Sequence, residues 1–231
     1  SLKNITIAID GFSSTGKSTI AKELATKLEY VYVDSGAMYR AVTLYAMQHN
    51  LISEEFFFKE RLIDALDNIN LAFKFNPDMG FGEIYLNEVN VEIEIRNMKV
   101  SRLVSKVAEV PEVRKKLVEQ QQQIGKNKGV VMDGRDIGTV VFPDAELKIF
   151  MTASQDVRAQ RRFAELLAKG DDVTLEDIAK NLEHRDTIDA NRENSPLTMT
   201  SDYRVLDNSH LDRDAQFALA MDWVETAIQG V

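Results

Sequence analysis

Asn4-Ile5-Thr6-Ile7-Ala8-Ile9-Asp10 runs directly into Gly11-Phe12-Ser13-Ser14-Thr15-Gly16-Lys17-Ser18-Thr19. The first of these segments is dense in β-branched side chains, the pattern of a strand buried in a parallel sheet. The second satisfies G-x-x-x-x-G-K-[ST] in full. Beyond Gly16 the period changes: Ile20, Leu24 and Leu28 recur every four residues with Lys22, Glu23 and Lys27 between them, the signature of an amphipathic helix. Strand, glycine loop and helix in this order form a phosphate cradle. Successive backbone N–H groups of Gly11 to Thr19 face an anion at the positive helix end, Lys17 reaches the outer phosphoryl oxygens, and the Ser18 hydroxyl is placed to ligate Mg²⁺. Motors, GTPases and small-molecule kinases all share such a loop, so it fixes a ligand chemistry and leaves the reaction open.

Working outward, Val31–Val33 predicts a second strand and 37–48 a second helix, so two βα units follow one another and a parallel, helix-covered sheet is expected. Gly129–Met132, Leu147–Met151 and Tyr203–Leu206 supply three further strands, and 215–228 a closing helix. Two excursions interrupt the rhythm. Between about 63 and 104, Asn70–Phe75 and Glu83–Val91 alternate like antiparallel strands around the turn-rich Asn76-Pro77-Asp78-Met79-Gly80. Residues 96–110 and 112–124 then read as helices, the second opened by Pro111. From 153 to about 192, helices over 153–167 and 175–190 carry more arginine than helix stability requires. The fold class is thus α/β: a three-layer α/β/α domain over 1–231 with a five-stranded parallel sheet, an antiparallel insertion and a helical excursion.

Composition narrows the chemistry. With 231 residues, 44% of them hydrophobic and 28% charged, the chain can bury a sizeable core. No apolar run approaches the length of a membrane span, and Ser1–Asp10 lacks the basic and apolar regions of a secretory leader, so a cytoplasmic location is expected. Cysteine is absent, which excludes disulfides, thiolate metal sites and a cysteine nucleophile. The histidines at 49, 184 and 210 are too scattered for a metal site or a triad. A net charge of −9 argues against a general nucleic-acid binder. Any anionic ligand must be met by arginines gathered locally.

Three segments gather them. Asp34-Ser35-Gly36-Ala37-Met38-Tyr39-Arg40 follows the second strand, where open α/β sheets place ligands; Ser35 can cap the helix or offer its hydroxyl to a phosphate, and Arg40 is either a surface cation or an anion contact. Asp133-Gly134-Arg135-Asp136 ends the third core strand, with Arg135 suited to bidentate phosphoryl binding and Asp133 to ordering the water shell of Mg²⁺, or the two to a structural ion pair. Arg158, Arg161 and Arg162 share one helix face by spacing, as do Arg185, Asp189 and Arg192. These arginines either pair with Glu165, Asp186 and Asp189 on a solvated surface or enclose a triphosphate.

Together these residues resemble the bacterial cytidylate kinases over nearly the whole length. The resemblance rests on Gly11–Thr19, Asp34–Arg40, the long run Asp133-Gly134-Arg135-Asp136-Ile137-Gly138-Thr139-Val140-Val141-Phe142-Pro143-Asp144-Ala145, and Arg185-Asp186 with Asp189, Asn191-Arg192 and Pro196-Leu197. It departs at positions 13–15, where relatives often carry a glycine or alanine, and at Ser18, where some carry glycine. The resemblance implies transfer of the γ-phosphoryl group of ATP to CMP or dCMP, with Mg²⁺, by a monomeric enzyme. It implies that Ser35, Arg40 and Arg135 hold the acceptor phosphate beside Asp34, that Ser105, Arg114 and Asp136 read the base, and that Arg185 and Asp189 bind the sugar with Arg192 close by. The insertion at 63–104 then corresponds to a monophosphate-binding element and 153–192 to a lid. Lys17, Arg135 and a lid arginine, Arg158 or Arg162, are expected to neutralise charge on the transferred group.

Overall fold

The computed structural model describes residues 3–231; Ser1 and Leu2, part of the stretch read for a leader, lie outside the described residues. In chain order its elements are β1 (Thr6–Asp10), α1 (Lys17–Leu28), β2 (Val31–Asp34), α2 (Ser35–Gln48), α3 (Lys59–Ala65), β3 (Leu71–Asn76), β4 (Phe81–Leu86), β5 (Val89–Asn90), α4 (Met98–Ala108), α5 (Pro111–Ile124), β6 (Val130–Gly134), β7 (Leu147–Thr152), α6 (Gln155–Ala168), α7 (Leu175–Asn191), β8 (Arg204–Asp207) and α8 (Arg213–Gln229). The chain divides into two compact units, one made of the residues up to Tyr32 together with Gly125–Val231, the other of Val33–Ile124.

The first unit is built on the sheet ordered β2-β6-β1-β7-β8. β1 pairs in parallel with both β6 and β7, and β7 in parallel with β8. Every residue of β1 and β6 is buried, which is why both read as continuous apolar runs rather than as alternating ones. α1 packs on β1 and β6, and α8 on β7 and α1. Ile7, Ile9, Ile20, Leu24, Val131 and Ile149 are all completely buried, in a core from which water is excluded. The expected five-stranded α/β architecture is borne out. Asp10, last in β1, stands opposite Gly134 of β6 and Phe150 of β7. The strand ends that carry the polar motifs are thereby aligned.

The second unit has its own core, in which Met38, Val42, Leu62, Ile69, Ile84, Ile95, Val100, Val107 and Leu117 cluster. β3, β4 and β5 form an antiparallel sheet. The single strand expected over Glu83–Val91 is broken, because Asn87 and Glu88 take φ of 47° and 68°. Two successive left-handed residues make the tight hairpin turn that usually announces itself with glycine. The short helix α3 carries no strong periodic signal and was not expected from the sequence.

Two helix starts also differ from expectation. Asp34, not Ser35, caps α2, accepting a hydrogen bond from the Ala37 N–H at 3.1 Å; Ser35 is the first helical residue. α4 begins at Met98 rather than Arg96, with Asn97 as its cap accepting from Val100 N–H at 2.9 Å, and Arg96 closes a preceding 3₁₀ turn instead. Asn97→Ala removes that cap and should lower stability by about 1 kcal/mol. Urea unfolding checks this, and an unchanged midpoint would contradict it.

Candidate active site

The phosphate loop is shaped by β7 as much as by its own glycines. A side-chain carbon at Gly11 would collide with the backbone carbonyl oxygen of Met151, which cannot give way, and Gly16 lies at φ 88°. Ser14 holds φ 60° without being glycine. Left-handed backbone costs an L-residue roughly 1–2 kcal/mol, so this is a strained position that the surrounding loop must enforce. Thr15 Oγ1 closes the turn on the Phe12 carbonyl at 2.9 Å. The Lys17 ammonium donates to the carbonyls of Gly11 at 2.9 Å and Phe12 at 2.7 Å, which holds a nearly buried cation over the loop. Ser13 keeps its Oγ buried with no hydrogen-bond partner. Ser18 is exposed in the first turn of α1, and Thr19 is half-buried. From the far end of the chain, Asn208 donates to the Thr15 carbonyl at 2.8 Å, a support that no local motif signals.

Around this loop the first unit concentrates guanidinium groups. Arg158 and Arg162 are 4% and 8% exposed, too buried for a solvated helix face. Arg158 makes a two-point pair with Asp186 of α7 at 2.8 and 2.7 Å, donates from Nε to the Ser13 carbonyl at 2.8 Å, and lies 5.4 Å from the Phe12 ring centre. It therefore ties α7 to the phosphate loop. Arg162 pairs with Glu165 at 3.1 Å. Arg161 does not share their surroundings: it turns to the side-chain and backbone oxygens of Asn208, at 3.0 and 3.1 Å. The common face expected for the three arginines is therefore split.

A second cluster surrounds Asp189. Its carboxylate accepts from Arg135 Nε at 2.8 Å and Arg192 at 3.4 Å. Burial alone would push the Asp189 carboxyl up, but Arg135, Arg185 and Arg192 outweigh it and hold the group below the usual carboxylate range. Arg185 is buried, and its Nε has no hydrogen-bond partner. Burial and then the neighbouring cations Arg135 and Arg162 pull its guanidinium down to about 9, against the opposing pull of Asp189 and Asp186. Several buried cations around few carboxylates form a site that an anion would relieve.

At the end of β6, Asp133 is buried and accepts from Tyr32 Oη at 2.9 Å, while Asp136 is also buried. Among the described residues no group of three or more His, Cys, Asp or Glu side chains could hold a metal. One carboxylate and one exposed hydroxyl, Asp133 and Ser18, are the sparse donor set that suits Mg²⁺, an ion that keeps most of its waters and takes phosphate oxygens. The residues present thus fit that ion.

The second unit carries its own polar set. Arg40 donates to the Ile95 carbonyl at 2.9 Å and Ser101 Oγ at 3.0 Å, so it is a buried and positioned cation rather than a surface one. Asp34 pairs with Arg96 at 3.0 Å, and Arg96 also binds Glu92 at 2.8 Å. Burial opposes ionisation of Asp34, yet Arg96 keeps its carboxyl below its ordinary value. Arg96 was not singled out from the sequence, because it read as the first turn of a helix. Arg114 is buried, donates to the Ala108 carbonyl at 3.0 Å and stacks 4.9 Å from the Tyr39 ring centre. Ser35 and Ser105 are buried on α2 and α4. The second unit thus holds Asp34, Ser35, Arg40, Ser105 and Arg114, and the first holds the loop, Arg135, Asp136, Arg158, Arg162, Arg185, Asp189 and Arg192.

A parallel sheet ending in a phosphate loop, with buried guanidinium groups gathered beside it, defines a phosphate-loop protein of the α/β kinase type. A gluconokinase from Sinorhizobium meliloti has the same general fold, with a TM-score of 0.52 at 11% identity, covering 100% of this chain and 97% of that one. The chain belongs to the cytidylate kinase family, whose model matches residues 7–224. It is 63% identical over 228 residues to a cytidylate kinase of Flavobacterium johnsoniae, covering 99% of each chain. It is 52% identical to one from Phocaeicola vulgatus, covering 99% of this chain and 100% of that one. The chain is accordingly a phosphotransferase of the nucleoside monophosphate kinase kind. Among the described residues no helix is long and apolar enough to cross a membrane.

Proposed function

We propose that this protein transfers the γ-phosphoryl group of ATP to CMP or dCMP, giving ADP and CDP or dCDP, in the cytoplasm and as a monomer. The observation that carries the reading is the near-full-length identity to proteins named cytidylate kinase. Buried Arg185, with its unpartnered Nε and lowered guanidinium, supports it, since an anionic nucleotide supplies what that group lacks. In this reading Gly11–Thr19 hold the donor phosphates. Ser35, Arg40 and Arg135 grip the acceptor phosphate together with Asp34, which pairs with Arg96, and Ser105, Arg114 and Asp136 read the base. Arg185 and Asp189, beside Arg192, take the sugar. The insertion over 63–104 serves the monophosphate, and 153–192 is the lid.

In-line transfer needs little covalent help from the protein, so the work lies in alignment and charge neutralisation. An acceptor phosphate oxygen is already anionic near neutral pH, and no general base is required. Lys17, Arg135 and the lid arginines Arg158 and Arg162 supply positive charge to the transferred group. Ser18 and Asp133 would hold Mg²⁺, which when bound neutralises phosphate charge. The lid excludes water, which would otherwise accept the phosphoryl group.

The test is a coupled assay of ADP release with ATP and CMP, dCMP, UMP or AMP in turn. Turnover with CMP and dCMP well above the others is expected, and preference for UMP or AMP would overturn the assignment. If Asp189 accepts from the sugar hydroxyls, Asp189→Ala should shift the CMP to dCMP ratio of kcat/KM by roughly tenfold, the scale for losing a hydrogen bond to a charged group. An unchanged ratio would count against that role.

A further inference from the structure

Asp10 takes no part in the site described above, yet it is completely buried and has three donors on its carboxylate. Oδ1 accepts from the Ile137 N–H at 2.9 Å; Oδ2 accepts from the Gly138 N–H at 2.9 Å and from Tyr203 Oη at 2.5 Å. These bonds reach across the sheet edge to a single π-helical turn over Ile137–Val141, closed by Val140 and Val141 N–H groups on the Asp136 carbonyl. The same residue stands opposite Gly134 in the β1–β6 register. Arg135 and Asp136 are therefore strung between two anchors, the ladder at Gly134 and the clamp at Ile137, and both anchors are Asp10. Next along the chain is Gly11, the first residue of the phosphate loop.

We propose that Asp10 is a positioning residue that sets the placement of Arg135 and Asp136 relative to the phosphate loop, with Tyr203 completing its clamp. The surroundings are built for this contact. Tyr203 is held by an edge-on contact with Phe150, which pairs with Asp10 from the other side. A side-chain carbon at Gly138 would lie 2.6 Å from Tyr203 Oη, so the phenol reaches the carboxylate only because glycine stands there. A carboxylate can accept at both oxygens, whereas an amide accepts at one and sets its NH₂ against a donor at the other. Asparagine therefore cannot keep all three bonds.

This inference rests on the proposed CMP kinase reading for its kinetic test, so a second arm is independent of turnover. Asp10→Asn and Tyr203→Phe are compared with the parent in KM and kcat for CMP, KM for ATP, and amide exchange at Ile137 and Gly138. Asp10→Asn should lower kcat/KM for CMP by about tenfold, the scale of a sub-ångström misplacement of a binding group. KM for ATP should stay within about twofold, because the loop backbone is unaltered. Tyr203→Phe should act in the same direction by about threefold. Both should speed exchange at Ile137 and Gly138. CMP kinetics within twofold of the parent in Tyr203→Phe and in folded Asp10→Asn, or equal losses toward ATP and CMP, would overturn the positioning role. If Asp10→Asn does not fold, Tyr203→Phe decides alone. If the parent itself leaves CMP unphosphorylated, the functional reading falls, and unchanged amide exchange in the variants would separately sink the clamp.

Discussion

Lys17→Ala should lower kcat for phosphoryl transfer by about a thousandfold, near 4 kcal/mol of transition-state stabilisation, while the protein stays folded. The ammonium is the loop's own cation, and it donates to the Gly11 and Phe12 carbonyls of that same loop. Charge migrates outward during transfer, and a side chain on a long flexible stem can follow it where backbone N–H groups cannot. The loss should therefore fall on kcat more than on KM for ATP, which the backbone cradle still binds. Steady-state kinetics at saturating ATP and CMP, with a thermal melt to verify folding, decides the matter; a kcat within tenfold of the parent would remove Lys17 from the mechanism.

The strand-loop-helix at Asp10–Lys17 was legible because its information is local. A buried strand, a fixed glycine spacing and a helical period occupy consecutive residues, and so do the remaining strands of the sheet. The side chains that support the site are a different matter. Asp34 meets Arg96 across 62 positions, Tyr32 meets Asp133 across 101, Asp10 meets Gly138 across 128 and Asn208 meets Thr15 across 193. A polar residue that serves a distant backbone group has no periodicity and no spacing rule, so each of these reads as an ordinary strand end or turn residue. Boundary errors compound this. Placing Arg96 inside a helix hid it as an ion-pair partner of Asp34, and taking Ser35 as the cap of α2 overlooked that Asp34 does that work with its other oxygen.

Helical spacing had a subtler failing. Three residues at i, i+3 and i+4 share a face of an isolated helix, but α6 is packed, and what each side chain meets depends on its neighbours. Arg158 finds Asp186 and the Ser13 carbonyl, whereas Arg161, three residues further on, finds Asn208. Spacing identified a cation-rich helix; tertiary contacts then assigned one arginine to the phosphate loop and another to bracing the segment after β8.

Arg135→Lys should lower kcat/KM for CMP by roughly 10²-fold to 10³-fold, although it preserves the charge. The guanidinium of Arg135 has two tasks on different edges. Its Nε donates to Asp189 at 2.8 Å, fixing the plane of the group, and in the proposed reading its terminal nitrogens meet the acceptor phosphate with parallel donors. A lysine ammonium has no rigid fork. If it turns to Asp189 it is withdrawn from the phosphate, and if it turns to the phosphate it leaves a buried carboxylate that Arg185 and Arg192 must neutralise alone. Either arrangement loses the geometry in which the acceptor oxygen lies in line with the leaving group, so kcat should fall along with the rise in KM for CMP. The KM for ATP should change little, because no loop residue is touched. Measuring both constants for both substrates distinguishes this from general destabilisation, which would impair ATP and CMP alike. Unaltered CMP kinetics in Arg135→Lys would mean that charge alone suffices at this position and that the two-point grip is not used.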